Sequence, residues 1–135
     1  MAQMKMQRVH TDKVAEPPPG LWSNCKRIGD WVWVSGFVAL DRDGDIVGPH
    51  DSQAQAHYIF SNIKHYIEAA GGKMSDVVKL NIYVTDMRHR PGVLEARRQF
   101  FSGDFPCSTL VGVTSLFDAR ALVEIDCTAH IGSGS

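Results

Sequence analysis

Residues 51–85 read DSQAQAHYIFSNIKHYIEAAGGKMSDVVKLNIYVT, and the change of period inside that stretch decides the fold. From Asp51 to Ala70, Ala56, Ile59, Phe60, Ile63, Ile67 and Ala70 recur every three or four residues, which is one apolar stripe on a helix. Ser52 and Gln55 fit a capping box at its start. Gly71-Gly72 provides the glycine stop that commonly follows a last helical turn. From Val77 to Thr85 the period drops to two. Val78, Leu80, Ile82 and Val84 take one face and Lys79, Asn81 and Tyr83 the other, as in a half-buried strand.

Upstream, Trp31 to Leu40 is dense in β-branched and aromatic residues and predicts a strand, bent at Gly36. A turn at Asp43-Gly44 leads to a short strand at Ile46-Val47. The segment before Lys26 lacks pattern, and Pro17, Pro18 and Pro19 exclude a helix there. Downstream, a second helix is predicted from Pro91 to Phe101, anchored by Leu94, Phe100 and Phe101 and stopped by Gly103 and Pro106. Thr109–Thr114 and Ala121–Ile131 read as strands. In the last of these Val123, Ile125, Cys127, Ala129 and Ile131 alternate with Leu122, Glu124, Asp126, Thr128 and His130. The order β-β(-β)-α-β-α-β-β calls for an α+β domain with two helices on one face of a mixed sheet. Trp31 and Trp33 would then enlarge the apolar surface of the opposite face, so self-association is expected to cover it.

The composition narrows the function. The chain has 135 residues, one domain's worth, with 14 Lys+Arg against 15 Asp+Glu. That balance argues against nucleic acid or a membrane surface as partner. Cys25, Cys107 and Cys127 are an odd number at wide spacing, which suggests neither a zinc site nor a disulfide framework and fits a reducing cytoplasm. Cys107 reads as a small core residue rather than a nucleophile. Residues 1–14 are polar, without the apolar run of a signal peptide, and no stretch approaches the ~20 residues of a membrane span. Residues 1–19 are expected to be a flexible lead and residues 132–135 a flexible tail around a domain at 20–131.

Several runs in this order resemble the Rid (YjgF-like) family. These are Gly29-Asp30-Trp31-Val32-Trp33-Val34-Ser35-Gly36, Ile67-Glu68-Ala69-Ala70-Gly71-Gly72 with Ser75-Asp76-Val77-Val78-Lys79, Tyr83-Val84-Thr85-Asp86-Met87, Phe100-Phe101, Phe105-Pro106 and Leu122-Val123-Glu124-Ile125. The resemblance implies a chorismate-mutase-like fold and a homotrimer with a pocket at each subunit interface. It also implies cofactor-independent, metal-free hydrolysis of reactive enamines or imines to a keto acid and ammonia. Carried over residue by residue, Glu124 would position the water, Ser35-Gly36 would hold substrate through its backbone, and Trp22 would be the pocket's aromatic wall.

The chain departs from the family where an arginine is expected to grip the substrate carboxylate. It reads Pro106-Cys107-Ser108-Thr109, with Ser108 at the arginine's place and Leu94 where an asparagine is common. A guanidinium grips a carboxylate with a planar fork, whereas serine offers one hydroxyl. Losing a pair of charge-assisted bonds at about 1.5–3 kcal/mol each costs a factor of hundreds in binding. Either the substrate lacks that carboxylate, or Arg120, Arg97, Arg88 or Arg90 supplies the charge, or the pocket binds without turnover. Ser108, Thr109 and Arg120 are thus candidate substrate contacts. A hydrolase of an enamine, an imine or a related ring-cleavage intermediate is the leading expectation. A non-catalytic ligand-binding or protein-protecting trimer comes second and a ribonuclease a distant third.

Two further signals are set aside. Asp41–Asp45 has its glycine at the wrong place for a calcium loop, and Ser52 stands where the bidentate glutamate belongs. His57 and His65 are eight residues apart and read as surface histidines.

Overall fold

The computed structural model describes residues 4–135 and forms a six-stranded mixed sheet with two α-helices on one face. The strands are β1 (Gln7–Arg8), β2 (Cys25–Ile28), β3 (Trp31–Phe37), β4 (Val77–Val84), β5 (Cys107–Gly112) and β6 (Val123–His130). The helices are α1 (Ser52–Ala69) and α2 (Arg90–Arg97). The sheet order is β1-β2-β3-β6-β4-β5, antiparallel throughout except for the parallel pair β4–β5, which α2 connects. A parallel pair needs such a crossover because a tight hairpin cannot return the chain in the same direction.

The sheet's inner face and the α1 stripe form the core. Ile59, Phe60, Ile63, Ile67, Leu80, Ile82, Val123 and Ile125 are fully buried. Burying each such side chain is worth about 1.5–3 kcal/mol. Gly71 closes α1 at φ 99°, a conformation that costs glycine little, and Gly72 N–H donates to Ile67 O at 2.9 Å.

Several local expectations are corrected. Asp51, not Ser52, caps α1, accepting from Ala54 N–H at 3.0 Å. Gln55 is fully buried and serves the loops instead: it donates to Gly48 O and Arg120 O and accepts from Leu122 N–H at 2.9 Å. Val78 leaves the apolar face, because the β4–β6 pairing slips between Val77 and Lys79 and the extra residue turns outward. In α2 the buried residues are Val93 and Ala96, with Leu94 only half-buried. Ile46 makes a single bridge to Leu40, and the hairpin partner of β3 is β2, which short polar Cys25–Ile28 did not advertise. Cys107 is exposed, since β5 is an edge strand; Cys25 and Cys127 are buried.

Residues 1–3 lie outside the described residues. Within the lead segment, Gln7–Arg8 pairs with β2, and Val9 and Val14 join the core. In the tail, Gly134 N–H donates to Asp76 at 2.7 Å.

Candidate functional site

Register sorts the candidate residues by face. Side chains at directly paired positions lie on the same side of a sheet. Tyr83 pairs with Glu124 and Val111, and Asn81 with Asp126 and Thr109. Lys79 pairs with Thr128 and Cys107, and Trp33 and Trp31 with Thr128 and His130. These residues form the outer face, away from the helices. Trp31 and Trp33 expose 41% and 42% of their surface there.

The bend predicted at Gly36 is a β-bulge. Val34 pairs with Cys127 and Phe37 with Ile125, so Ser35 and Gly36 together face Asp126 alone. The bulge is pinned to the preceding loop: Ser35 N–H donates to Asn24 O at 2.8 Å and its hydroxyl to Ser23 O at 2.6 Å. Glu124 folds over it. A methyl group placed on Gly36 would stand 2.9 Å from the Glu124 carboxylate carbon and closer still to Oε2. A Cβ at position 36 would therefore displace the Glu124 carboxylate from its place over the bulge.

Glu124 is half-buried, and its carboxylate makes no hydrogen bond among the described residues. Burial, and then the charge of Asp126, push its pKa above the ordinary value of 4.5. Asp126 is held from the other strand: Asn81 donates to it at 2.8 Å and Tyr83 OH at 3.2 Å. The Tyr83 phenol is raised by burial and then by Asp126. The result is one orphan carboxylate with elevated proton affinity beside one fully bonded carboxylate. Such an arrangement can accept a proton from water and return it.

Of the sequence-predicted residues, Glu124, Ser35 and Gly36 come together. Thr109 shares their face two strands away, where it accepts from Lys79 Nζ at 2.6 Å. Ser108 is on the opposite face, paired with buried Leu80, and accepts from Arg97 Nη1 at 3.1 Å. Arg120 is engaged by Asp118 at 2.9 Å and by Gly44 O at 3.1 Å. Trp22 donates from its indole to Asn24 at 3.0 Å and lines a cavity that Glu124 does not reach.

Among the four arginines named as replacements, Arg88 pairs with Asp86 and Arg120 with Asp118. Among the described residues Arg97 has no carboxylate partner and its buried Nε no hydrogen bond, and its guanidinium lies over the Phe105 ring at 5.8 Å. Burial, then Arg90 and Arg98, pull its pKa below the ordinary value. Sequence reasoning missed Lys79, Asn81 and Tyr83. Their only signal was the polar alternation of β4, which reads equally as a solvated face. Among the described residues no group of three His, Cys, Asp or Glu side chains is placed to hold a metal.

A family profile described as Endoribonuclease L-PSP matches residues 13–131. A curated relative from Dermatophagoides farinae, a 2-iminobutanoate/2-iminopropanoate deaminase, is 35% identical over 125 residues, covering 91% of this chain and 95% of its own. The solved structure of RidA from an Antarctic Psychrobacter superposes with a TM-score of 0.83 at 32% identity, covering 93% of this chain and 99% of its own.

The chain belongs to the Rid family.

A Pseudomonas aeruginosa protein of unknown function is as similar to this Rid protein, at 33% identity and a TM-score of 0.86 over 96% of this chain and 95% of its own. The α+β fold expected from the residue pattern is thus the fold of the family.

Proposed function

We propose that this Rid protein hydrolyses a small imine or enamine to a carbonyl compound and ammonia, with Glu124 as the proton-transferring group. The observation that carries the reading is the Glu124 carboxylate, half-buried over Gly36, raised in pKa and without a hydrogen bond among the described residues. The deaminase relative from Dermatophagoides farinae supports the same reaction class.

An imine carbon is already electrophilic, so the chemistry needs a placed water and one base. On the protonated imine, Glu124 takes a proton from water as the water oxygen bonds to carbon and the C=N pair returns to nitrogen, giving a neutral carbinolamine. Glu124 then delivers that proton to nitrogen. As the carbon–nitrogen bond breaks, the hydroxyl proton passes through Glu124 to the departing ammonia, so the carbonyl forms and ammonium leaves. No redox step and no organic cofactor enters that balance.

The carboxylate grip falls to Arg97. It reaches the position of Ser108 from α2 and, among the described residues, is part-buried without an acidic partner, whereas Arg90, which also lacks one, is exposed. A guanidinium keeps its charge even when partly buried. Within one protomer Arg97 and Glu124 are on opposite faces, so the complete pocket needs a neighbouring copy. A trimer whose subunits cover each other's outer faces also accounts for Trp31 and Trp33. The two buried free thiols support a reducing, cytoplasmic setting.

Ammonia release from 2-iminopropanoate, measured with wild type and Arg97→Gln, tests this reading. Wild type should accelerate release, and the variant should raise KM by about 10- to 100-fold with a smaller change in kcat. Absence of acceleration by folded wild-type protein would remove the hydrolase reading and leave the binding trimer.

A further inference from the structure

The seat of Glu124 lies where β3 outruns its partner. The β2–β3 pairing ends at Cys25 and Val34, so Ser35 and Gly36 are opposed on that side by the residues that lead into β2, not by a strand. On the other side the bulge leaves both of them facing Asp126 alone. A bulge disrupts the ladder locally, so its position depends on what bonds and packs beside it.

Asn24 supplies the bonds. Its backbone carbonyl accepts from Ser35 N–H at 2.8 Å. The residue is 3% exposed, and its whole side-chain amide is engaged. Oδ1 accepts from the Trp22 indole at 3.0 Å, and Nδ2 donates to Ala15 O and to Tyr66 OH, each at 3.0 Å. Both N–H donors are thereby committed, and reversing the amide would set donor against donor at Trp22. Asn24 therefore has one orientation.

Tyr66 supplies the packing, and it reaches the bulge from both ends. It is fully buried in α1, and its hydroxyl, which also bonds Glu16 Oε1 at 3.4 Å, holds Asn24. Its ring stacks on Phe37, the residue after Gly36, with centroids 5.9 Å apart and 18° between planes. Phe37 pairs with buried Ile125, so the stack is on the helix side, whereas Glu124 is on the outer side. One α1 residue thus grips the bulge at Ser35 through Asn24 and at Phe37 through the ring. The Glu124 carboxylate rests on Gly36 between those two grips.

We propose that Asn24 is a positioning residue for Glu124: together with Tyr66 it fixes the bulge on which the carboxylate is seated. The consequence for turnover rests on the hydrolase reading; the consequence for the seat does not.

Asn24→Leu, which removes the three side-chain bonds at similar volume, tests this in two ways. In ammonia release from 2-iminopropanoate it should lower kcat about ten-fold, with KM changed less than about three-fold, because misplacing a catalytic group costs rate. In a Glu124→Gln background the same substitution should change the residual rate by less than about two-fold, because the group it positions is gone. An equal fractional loss in both backgrounds would mark a purely structural role and overturn the proposal. Independently of turnover, carboxyl-carbon NMR should show the Glu124 titration falling toward the ordinary 4.5 in folded Asn24→Leu, as the carboxylate leaves its half-buried seat. Asp126 and Tyr83, the titratable groups that face Glu124, are untouched by the substitution. A titration that does not move would overturn the proposal. Should Asn24→Leu fail to fold, Tyr66→Phe, which keeps the stack and removes the hydroxyl, should lower kcat about three-fold and move the titration the same way; an unmoved titration there overturns the proposal equally. Wild type that releases no ammonia above background would remove the hydrolase reading alone, and the titration would still decide the role of Asn24.

Discussion

Glu124 and Gly36 act as a pair. The carboxylate occupies the space a Cβ at position 36 would need. Gly36→Ala should therefore push the carboxylate off the bulge, lowering kcat/KM by about 10- to 100-fold through misplacement while leaving Tm nearly unchanged. Steady-state kinetics beside a melting curve separate the two effects. Asp126 acts on Glu124 at a distance, through charge. Its negative field raises the Glu124 pKa, so Asp126→Asn should let that pKa fall. The base then stays ionised at lower pH, and the acid limb of the kcat/KM profile should move to lower pH. An acid limb that stays put, or moves up, would count against Glu124 as the titrating base. The sequence nominated Glu124 through its motif and marked Gly36 as a bend. It offered Arg97 only as one of four candidate arginines, because the link from Arg97 to Ser108 spans two elements that only the fold brings together.

At the scale of elements, two buried polar side chains hold the loops that set β4 and β6. Gln55 clamps the Gly48 turn to the segment entering β6. Gln55→Leu keeps the volume but strands those backbone groups, and a loss of about 2–4 kcal/mol in chemical denaturation is expected. Asp76 stands just before β4 and accepts from Lys73 N–H at 3.0 Å and from Gly134 N–H. Burial acts upward on its carboxyl, but the amides of Gly134 and Lys73 outweigh it and hold the pKa below the usual 3.8. A depressed folded-state pKa contributes stability above the unfolded value, and that contribution is lost as pH falls through the folded value. Asp76→Asn should thus melt about 3–6 °C below wild type at pH 7, with the gap closing as pH falls below the usual carboxyl value of 3.8. These helix and strand positions were readable because their periods of 3.6 and 2 are strong. Gln55 was misread as a cap because Ser-x-x-Gln fits that motif, while the true cap, Asp51, is one residue earlier. β1 and β2 were missed because strands of two and four residues, half-exposed and polar, carry no alternation to detect.

The whole molecule presents an outer sheet face with two large exposed indoles and an edge strand, β5, open to solvent. Such a face favours association, and the separation of Arg97 from Glu124 makes association a requirement for the proposed chemistry. Light scattering at micromolar concentration should return three times the 14.9 kDa chain mass. Trp33→Glu should shift it toward one chain and abolish turnover; a wild-type monomer that is fully active would remove the shared pocket. The remaining and most direct test is the Glu124→Gln exchange, which keeps shape and removes the base. In ammonia release from 2-iminopropanoate, folded and trimeric Glu124→Gln should be slower than wild type by about 10²–10⁴-fold, the usual worth of a general base. Equal rates for the two proteins would contradict the account.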